Sequence, residues 1–370
     1  MLLAASFEQV MTTIGYVLLA LCALMFMVVI HELGHYLAGK LLGFKINEFG
    51  IGFGPPIFKR TNKKTGEVFT IRPIPLGGFC AFEGEDDAEN KNPAAFENQP
   101  PWKRLIVLFS GAFFNLVSGW IIIVIFFSAY GQVLPEVVNV YADSPNAAVL
   151  EEGDVFLKVG GKQMNVLMAE DATKMFSEAG DTVETVVLRD GKRVTITLSK
   201  GTCVAGTYDA DGNFTPTVNE ETGEVETYYG FGFTSVSYAV KLPFFLALGR
   251  SFSFMFFLVY KILAILGSLI TGQIALNTVG GPVTTITVMT QAASSGFATF
   301  SYVICLISAN LAVMNLLPIP ALDGSRMLFC LIEWIFRKPI NKKVEAVLHT
   351  VGFVLIFAFA IFADIFQFVT

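Results

Sequence analysis

Several residue types are scarce in this chain, and each scarcity excludes a class of protein. Charged residues make up only 15% of the 370 residues, against 54% hydrophobic residues and a mean hydropathy of +0.61, which excludes an ordinary soluble domain. The five cysteines form no Cys-x-x-Cys pair, so neither a disulfide framework nor a thiolate zinc site is indicated. No basic patch is interleaved with aromatic residues, so we expect no nucleic-acid partner. What remains is a polytopic membrane protein, embedded in a lipid bilayer, with some soluble material.

Histidine is also scarce, with only three in the chain, yet two of them belong to one H-E-L-G-H motif at residues 31–35. The motif lies within an apolar run at residues 14–42 that is long enough to cross a bilayer. Ionisable side chains inside a membrane span are costly, so they indicate a functional site. On a helix, His31 and His35 share one face and can reach one metal ion. Glu32 stands beside them, placed to accept a proton from a metal-bound water.

A catalytic zinc ion commonly has three protein ligands and keeps one position for water. Asp323 is the best third ligand in this sequence, because it is acidic and follows the apolar stretch at residues 297–317. Taken alone, it could instead cap a helix end beside Gly324. His349 is the rival ligand, but it lies beside a pair of lysines near the start of the last span, and we interpret it as an interfacial residue.

The hydropathy pattern predicts a polytopic α-helical membrane protein with about four spans, at residues 14–42, 105–130, 297–317 and 347–369. Between the first two spans, a segment rich in Phe, Ile and Gly predicts a membrane-associated β-hairpin or small sheet, with a turn at 61–66. The apolar stretch at 242–271 carries Arg250 and Lys261, so we favour an interfacial helix there.

A soluble, acidic region separates the second span from the third. Its pattern predicts strand, short helix, strand, helix and hairpin, with Asp190-Gly191 as the hairpin turn. This order, together with its Ser-Pro, Gly-Asp and Gly-Gly positions, resembles a bacterial PDZ domain. We therefore divide the chain into an N-terminal membrane domain (1–130), a PDZ-like domain (131–240, with a polar insertion at 201–230), an interfacial region (241–296) and a C-terminal membrane domain (297–370).

Charge asymmetry predicts the orientation of these parts. The short loops at 43–104 and 337–343 are rich in Lys and Arg, which marks them as cytoplasmic. The PDZ-like domain is then extracytoplasmic. The first span runs inward, and so does a helix that continues from Asn315 to Asp323. His31, His35 and Asp323 would thus all lie toward the cytoplasmic ends of their helices, at one depth.

Together these residues resemble the site-2 protease family of intramembrane zinc metalloproteases, and most closely its bacterial RseP-type branch with a PDZ domain. The likeness covers nearly the whole chain. Besides the H-E-L-G-H motif, it rests on the FGIGFGP stretch at 49–55, the PLGGF stretch at 75–79 and the NLLPIPALDG stretch at 315–324. Two departures bear on substrate fit: many relatives have Gly-His where this chain has Ser325-Arg326, and often Gly-Pro where it has Gly111-Ala112.

The resemblance implies that His31, His35 and Asp323 bind Zn²⁺ and that Glu32 is the catalytic acid/base. It implies that Asn315 helps to hold the substrate backbone or the developing oxyanion. The expected reaction is cleavage of a transmembrane segment by zinc-activated water, in single-span membrane proteins that another protease has already trimmed. Anti-sigma factors and signal-peptide remnants are examples, within regulated intramembrane proteolysis.

The likeness also implies that the PDZ-like domain excludes bulky ectodomains and contacts trimmed substrate ends. A single PDZ-like domain, without a large regulatory region, favours a multi-pass enzyme of the bacterial plasma membrane with its active site toward the cytoplasm.

Two other classes of function are compatible with parts of this sequence. A metal transporter would carry ligands along several spans, whereas this chain has one compact set. A catalytically inactive PDZ-bearing scaffold would tolerate loss of Glu32, which is intact here.

Overall fold

A computed structural model describes residues 7–85, 90–208, 214–220, 222–275, 279–338 and 340–369. The remaining positions include parts of the insertion predicted at 201–230, namely 209–213 and 221, which therefore lie outside the described residues. The chain forms two compact units. One comprises Met1–Ile125 with Met255–Thr370, and the other comprises Phe126–Phe254.

The first unit begins with the predicted span and the predicted β-structure. Helix α1 (Phe7–Leu41) is followed by the strands β1 (Ile46–Phe53), β2 (Phe58–Thr61), β3 (Val68–Ile71) and β4 (Ile74–Phe82), and then by helix α2 (Pro101–Ala129). The four strands form one sheet in the order β2-β3-β1-β4. The turn predicted at 61–66 joins β2 to β3, with Thr61 opposite Val68. The sequence allowed a hairpin or a small sheet, and the structure has the sheet.

The sheet is attached to the helices through a cluster of apolar side chains. Phe44, Ile46 and Phe82 from the sheet region are buried against Val107 and Leu108 of α2. Burying an aromatic or branched side chain of this kind contributes roughly 1.5–3 kcal/mol. Strand β4 is thereby fixed beside α1 while its outer edge has no strand partner among the described residues.

The second unit contains the predicted Asp-Gly hairpin. It comprises β5 (Gln132–Val140), β6 (Val155–Val159), β7 (Lys162–Gln163), α3 (Ala169–Ser177), β8 (Thr182–Arg189), β9 (Lys192–Ser199), β10 (Gly201–Val204), β11 (Gly206–Tyr208), β12 (Phe214–Pro216), β13 (Thr227–Gly230) and β14 (Phe233–Val240). Asp190 and Gly191 both have positive φ, at 49° and 74°, as a two-residue hairpin turn requires. They join β8 to β9, so this turn is confirmed.

The main sheet of this unit has the order β14-β5-β6-β8-β9, with β7 beside β6. The short helix predicted between the first two strands is wrong: residues 142–150 form turns. The side chain of Ser144 accepts a hydrogen bond from the Asn146 backbone N–H at 3.0 Å, a local bond that competes with helix formation. Whether this unit is a PDZ domain stays a prediction.

Five more helices follow: α4 (Phe244–Ile270), α5 (Pro282–Ser294), α6 (Phe297–Leu316), α7 (Asp323–Phe336) and α8 (Lys342–Val369). Among the described residues, five helices are long and apolar enough to cross a membrane, namely α1, α2, α4, α6 and α8. The sequence predicted about four spans, because α4 was assigned to the interface. Length and composition make α4 a candidate span, and its interfacial position stays a prediction.

Arg250 was one reason for that interfacial assignment, and the structure gives it a different setting. It belongs to the second unit and is only 2% exposed. Its Nε donates to Gln132 Oε1 at 2.5 Å, its Nη1 donates to the Leu157 carbonyl at 3.0 Å, and its Nη2 donates to the Met164 carbonyl. The guanidinium therefore stabilises the interior of its own unit through these three hydrogen bonds.

The structure corrects the prediction of one helix from Asn315 to Asp323. Helix α6 ends at Leu316, and Asp323 begins α7. Pro318 and Pro320 interrupt the segment between them, because proline cannot continue the helical hydrogen-bond ladder. Asp323 is thus the first residue of a new helix, whereas the sequence placed it near the end of an old one.

Candidate metal centre

Two imidazoles and one carboxylate meet where α1 approaches the start of α7. One ligand atom from each of His31, His35 and Asp323 lies within 4.8 Å of the others. Asp323 Oδ2 is 2.9 Å from His31 Nε2 and 3.3 Å from His35 Nε2, and the two Nε2 atoms are 3.1 Å apart. Both histidines are 7% exposed. The sequence separation between His31 and Asp323 is 292 residues, so only the fold brings them together.

The ring of His35 is oriented by the backbone of α2. Its Nδ1–H donates to the Val107 carbonyl at 2.8 Å, which leaves the lone pair of Nε2 directed at the cluster. Metal-binding histidines almost always donate their second nitrogen in this way. The geometry therefore fits a metal ligand better than a packing residue.

Gly111 makes room for both rings. A Cβ at this position would lie 2.4 Å from His35 Nε2 and 2.7 Å from His31 Cε1. On the facing helix, a Cβ at Gly34 would lie 2.4 Å from the Ser110 carbonyl oxygen. These two glycines thus allow α1 and α2 to cross closely, and the imidazoles occupy the crossing.

Asn115 of α2 is the polar partner of His31. Its amide lies 3.3 Å from His31 Nδ1, and the residue is 0% exposed. In this amide orientation, the nitrogen faces the ring and Oδ1 is buried without a hydrogen-bond partner. The amide rotated by 180° occupies the same space and places Oδ1 against Nδ1 instead. A histidine that binds metal through Nε2 carries its proton on Nδ1 and donates it, so the rotated amide is the one that fits a metal centre.

Asn115 is a functional residue that the sequence did not assign to the site. Its position three turns into an apolar span was the available signal. Its partner is a histidine of the cluster, which makes it a positioning residue of this site.

Glu32 and Asn315 face the same space as the three possible ligands. A cavity of about 260 Å³ is lined by His31, Glu32, Asn315 and Asp323. A second cavity, of about 350 Å³, is lined by Glu32, His35 and Asp323 together with β4. The carboxylate of Glu32 accepts a hydrogen bond from the Cys80 backbone N–H of β4. Glu32 therefore stands between the cluster and the sheet edge.

His349, the rival ligand, lies outside the cluster. Its Nδ1 accepts a hydrogen bond from the Ala321 backbone N–H at 2.9 Å. Ala321 has φ of +79°, a conformation that is costly for a residue with a Cβ. His349 thus stabilises the turn that precedes Asp323, and in this way it helps to position the Asp323 carboxylate.

The donor set suits zinc. Two imidazole nitrogens and one carboxylate oxygen are ligands that zinc takes in catalytic sites, where a fourth position stays open. The outer ring nitrogens donate to the Val107 carbonyl and, with the amide rotated, to Asn115 Oδ1, which completes the surroundings that such a site requires. The site has the form of a metal-dependent hydrolase set among apolar helices.

Comparison with known proteins agrees with this form. Peptidase family M50 matches residues 19–359. A candidate zinc metalloprotease of Clostridium perfringens is 34% identical over 355 residues, covering 95% of this chain and 97% of its own length. Candidate zinc metalloproteases of Mesorhizobium japonicum and Brucella suis are 31% and 30% identical, covering at least 90% of this chain.

The chain belongs to peptidase family M50, the site-2 protease family. It is a zinc metalloprotease. Its long apolar helices and its family make it an integral membrane protein.

Proposed function

We propose that this enzyme cleaves a transmembrane segment of single-span membrane proteins that have already been trimmed, with His31, His35 and Asp323 as its zinc ligands. The observation that carries the proposal is the position of the three donors. The two histidines lie on the apolar helix α1 and Asp323 begins α7, with the three donors within 4.8 Å of one another and beside the open edge of a β-sheet. A soluble substrate would not require a site surrounded by bilayer-length helices.

Each remaining residue of the site has a definite task in peptide hydrolysis. Zinc held there supplies Lewis acidity, which polarises the scissile carbonyl and makes water more acidic. Glu32 accepts the proton of the attacking water and returns it to the leaving amine. Asn315 donates its amide N–H to the substrate backbone or to the oxyanion as it develops. Val107 and Asn115 hold the two imidazoles in the tautomers that metal binding needs.

The open edge of β4 offers a place for the substrate backbone. A substrate helix bonds its amides internally and must unwind before any peptide bond is accessible. The Cys80 N–H on this edge reaches Glu32, and the Phe82 N–H donates to the Glu85 carboxylate at 3.3 Å. Both backbone N–H groups can instead donate to the carbonyls of an added substrate strand. These hydrogen bonds replace those that the substrate loses when its helix unwinds.

The wider setting follows the family likeness. We place the second unit, as a PDZ-like domain, on the extracytoplasmic side, where it excludes bulky ectodomains and contacts trimmed substrate ends. The active site lies toward the cytoplasm of a bacterial plasma membrane. Anti-sigma factors and signal-peptide remnants are the substrate types that this arrangement suits, and regulated intramembrane proteolysis is the process.

The first test is cleavage of a single-span reporter by purified enzyme in liposomes. The wild type should cut it, and both Glu32→Gln and zinc chelation should abolish the cut. Glu8→Gln is the matched control, because Glu8 lies exposed in the first turn of the same helix. If wild type and Glu32→Gln are equally inert on several trimmed reporters while zinc is bound, the proposed function is wrong. The alternative hypothesis, a catalytically inactive scaffold that binds its partners through the PDZ-like unit, would then replace the proposed protease function.

A second test addresses strand addition. Single cysteines placed along the reporter would be oxidised against Cys80 in the Glu32→Gln enzyme, with Cys80→Ala as control. An added strand predicts cross-links at every second reporter position, since side chains alternate along a strand. Cross-links spaced by three and four positions would show a substrate that stays helical, which contradicts this part of the proposal.

A further inference from the structure

A third cavity is lined by residues of α1, β1, β3 and the β2–β3 region. Its volume is about 670 Å³, which is the size of a small-molecule site. It is bounded by the last turns of α1, by β1 and β3, and by the β2–β3 turn. None of the catalytic residues or proposed zinc ligands lines it, so the reaction gives it no task.

The polar wall of this cavity carries excess positive charge. Lys40, Arg60 and Lys63 line it, and Glu67 is the one acidic residue of the lining. Lys40 Nζ lies 3.1 Å from Glu67 Oε2. Burial raises the pKa of Glu67, whereas the hydrogen bond from Lys40 and the charge of Lys40 lower it. The net result is a pKa of Glu67 below its usual range. Glu67 is therefore a carboxylate that neutralises Lys40.

Arg60 and Lys63 differ from Lys40 in this respect. In the described part of the chain, no carboxylate lies within ion-pairing distance of Arg60 or Lys63, and both side chains are exposed at the cavity rim. Arg60 faces Phe69 across the β2–β3 pair. Two uncompensated cations that converge on one cavity favour an anionic ligand, and a guanidinium with an ammonium suits a phosphate.

The opposite wall is apolar. Leu33 of α1, Phe49 of β1 and Phe69 of β3 line it, and Phe49 and Phe69 are stacked at a centroid distance of 6.1 Å. Phe58 of β2, on the same hairpin, is 48% exposed. A free phosphate would leave this wall unused. A ligand with an anionic head and a hydrocarbon tail matches both walls.

We propose that this cavity binds the headgroup of an anionic phospholipid, with the phosphate on Arg60 and Lys63 and the start of an acyl chain against Leu33, Phe49 and Phe69. The lipid comes from the leaflet that the C-terminal end of α1 reaches. Bound there, it ties the β2–β3 turn to the bilayer surface and so fixes the sheet whose other edge faces Glu32. The proposal does not depend on the substrate class.

The test counts lipids retained by the full-length protein in native mass spectrometry. The protein, in detergent, is titrated with dioleoyl phosphatidylglycerol or with dioleoyl phosphatidylcholine at equal mole fraction. The wild type should retain one phosphatidylglycerol in preference to phosphatidylcholine. The double variant Arg60→Gln, Lys63→Gln should bind phosphatidylglycerol at least about tenfold more weakly than the wild type. The reason is that each cation near an anionic lipid headgroup contributes favourably to the binding free energy.

The chain offers a matched control in the same hairpin. Lys59→Gln with Lys64→Gln removes the same charge from two exposed neighbours that do not line the cavity. This control should bind phosphatidylglycerol as the wild type does. All four residues are exposed, and unchanged circular dichroism verifies that each double variant is folded.

Four outcomes would overturn the proposal. Equal loss of phosphatidylglycerol in both double variants would show a diffuse charge effect, and no loss in either would show binding elsewhere. Glycerol phosphate that competes as well as the lipid would make the site one for free phosphate. A photo-reactive residue at Asn62 that captures a second protein chain, with no lipid retained, would make it a protein-binding surface.

Discussion

The imidazole of His349 holds the turn that carries Asp323, the proposed third zinc ligand. Its Nδ1 accepts the Ala321 N–H at 2.9 Å, while Ala321 itself has φ of +79°. A backbone in that region costs of order 1–3 kcal/mol and persists only when its surroundings hold it. A Cβ at Gly352, one turn further along α8, would lie 2.3 Å from Pro320 Cβ, so the helix also packs directly on this turn.

Replacing His349 by Leu should therefore lower protease activity and zinc occupancy together. The expected loss is about 10- to 100-fold in metal affinity, the range seen when a group that orients a ligand is removed. Zinc content after equilibration with a competing chelator measures it. His349→Gln, which keeps an acceptor, should retain more zinc than His349→Leu. A leucine variant with normal zinc content would contradict the assigned support role.

The amide of Asn115 should act on His31 as an acceptor. Asn115→Asp keeps an acceptor and should retain zinc, because a carboxylate that accepts the ring N–H is a common partner of metal-bound histidine. Asn115→Leu should lose zinc by about 10- to 100-fold. Metal titration of the two purified variants distinguishes them. If Asp is as damaging as Leu, Asn115 donates to His31 or only fills space.

Gly111 should not tolerate even a methyl group. Gly111→Ala places a Cβ 2.4 Å from His35 Nε2, a distance at which the ring must leave its position. We expect cleavage and zinc binding to be lost by more than about 100-fold, although alanine favours a helix by about 1 kcal/mol over glycine.

Gly15→Ala is the control for that change, because nothing lies within 4 Å of a Cβ at this position of α1. It should leave activity unchanged. Circular dichroism first verifies that both variants are folded. Reporter cleavage and zinc content of the two variants then test the prediction. An active Gly111→Ala enzyme would show that the rings do not occupy the crossing of α1 and α2.

Arg250 should be needed for the stability of its own unit. Arg250→Lys keeps the charge but cannot reach the three acceptors that the planar guanidinium satisfies. The cost should be about 2 kcal/mol, since hydrogen bonds from charged groups contribute roughly 1.5–3 kcal/mol each and lysine recovers part of them.

Hydrogen exchange at β6, whose Leu157 carbonyl is one of these acceptors, measures the effect. A loss of 2 kcal/mol corresponds to roughly 30-fold faster exchange if β6 opens with the unit. Lys261→Arg in the same helix is a control outside the network and should leave the exchange rate unchanged. Equal exchange in wild type and Arg250→Lys would show that β6 is held by other contacts.

Local patterns predicted much of this fold. The apolar runs located α1, α2, α6 and α8, because bilayer-length hydrophobicity is an unambiguous signal. The Asp190-Gly191 turn and the turn after β2 followed from residues that tolerate special backbone conformations. The spacing of His31 and His35 followed from helical geometry.

What local patterns did not predict depends on contacts distant in sequence. The parallel pairing of β1 with β3 has no local signature. The helix break before Asp323 could have been predicted from Pro318 and Pro320, but the topological argument favoured a continuous helix. The partners of Asn115 and Arg250 lie 84 and up to 118 residues away, so their roles required the structure.

The sequence separation of 292 residues between His31 and Asp323 gives the candidate metal centre a mechanical importance beyond its chemistry. An ion bound by both residues would close the chain into a ring, and the entropic cost of closing such a ring rises only slowly with its length. An ion bound by the folded chain alone also stabilises that state by mass action. With His31 and Asp323 as its ligands, a bound zinc ion would thus hold α1 to α7 in addition to its chemical role, and removal of zinc would weaken the attachment of the first helix to the last ones.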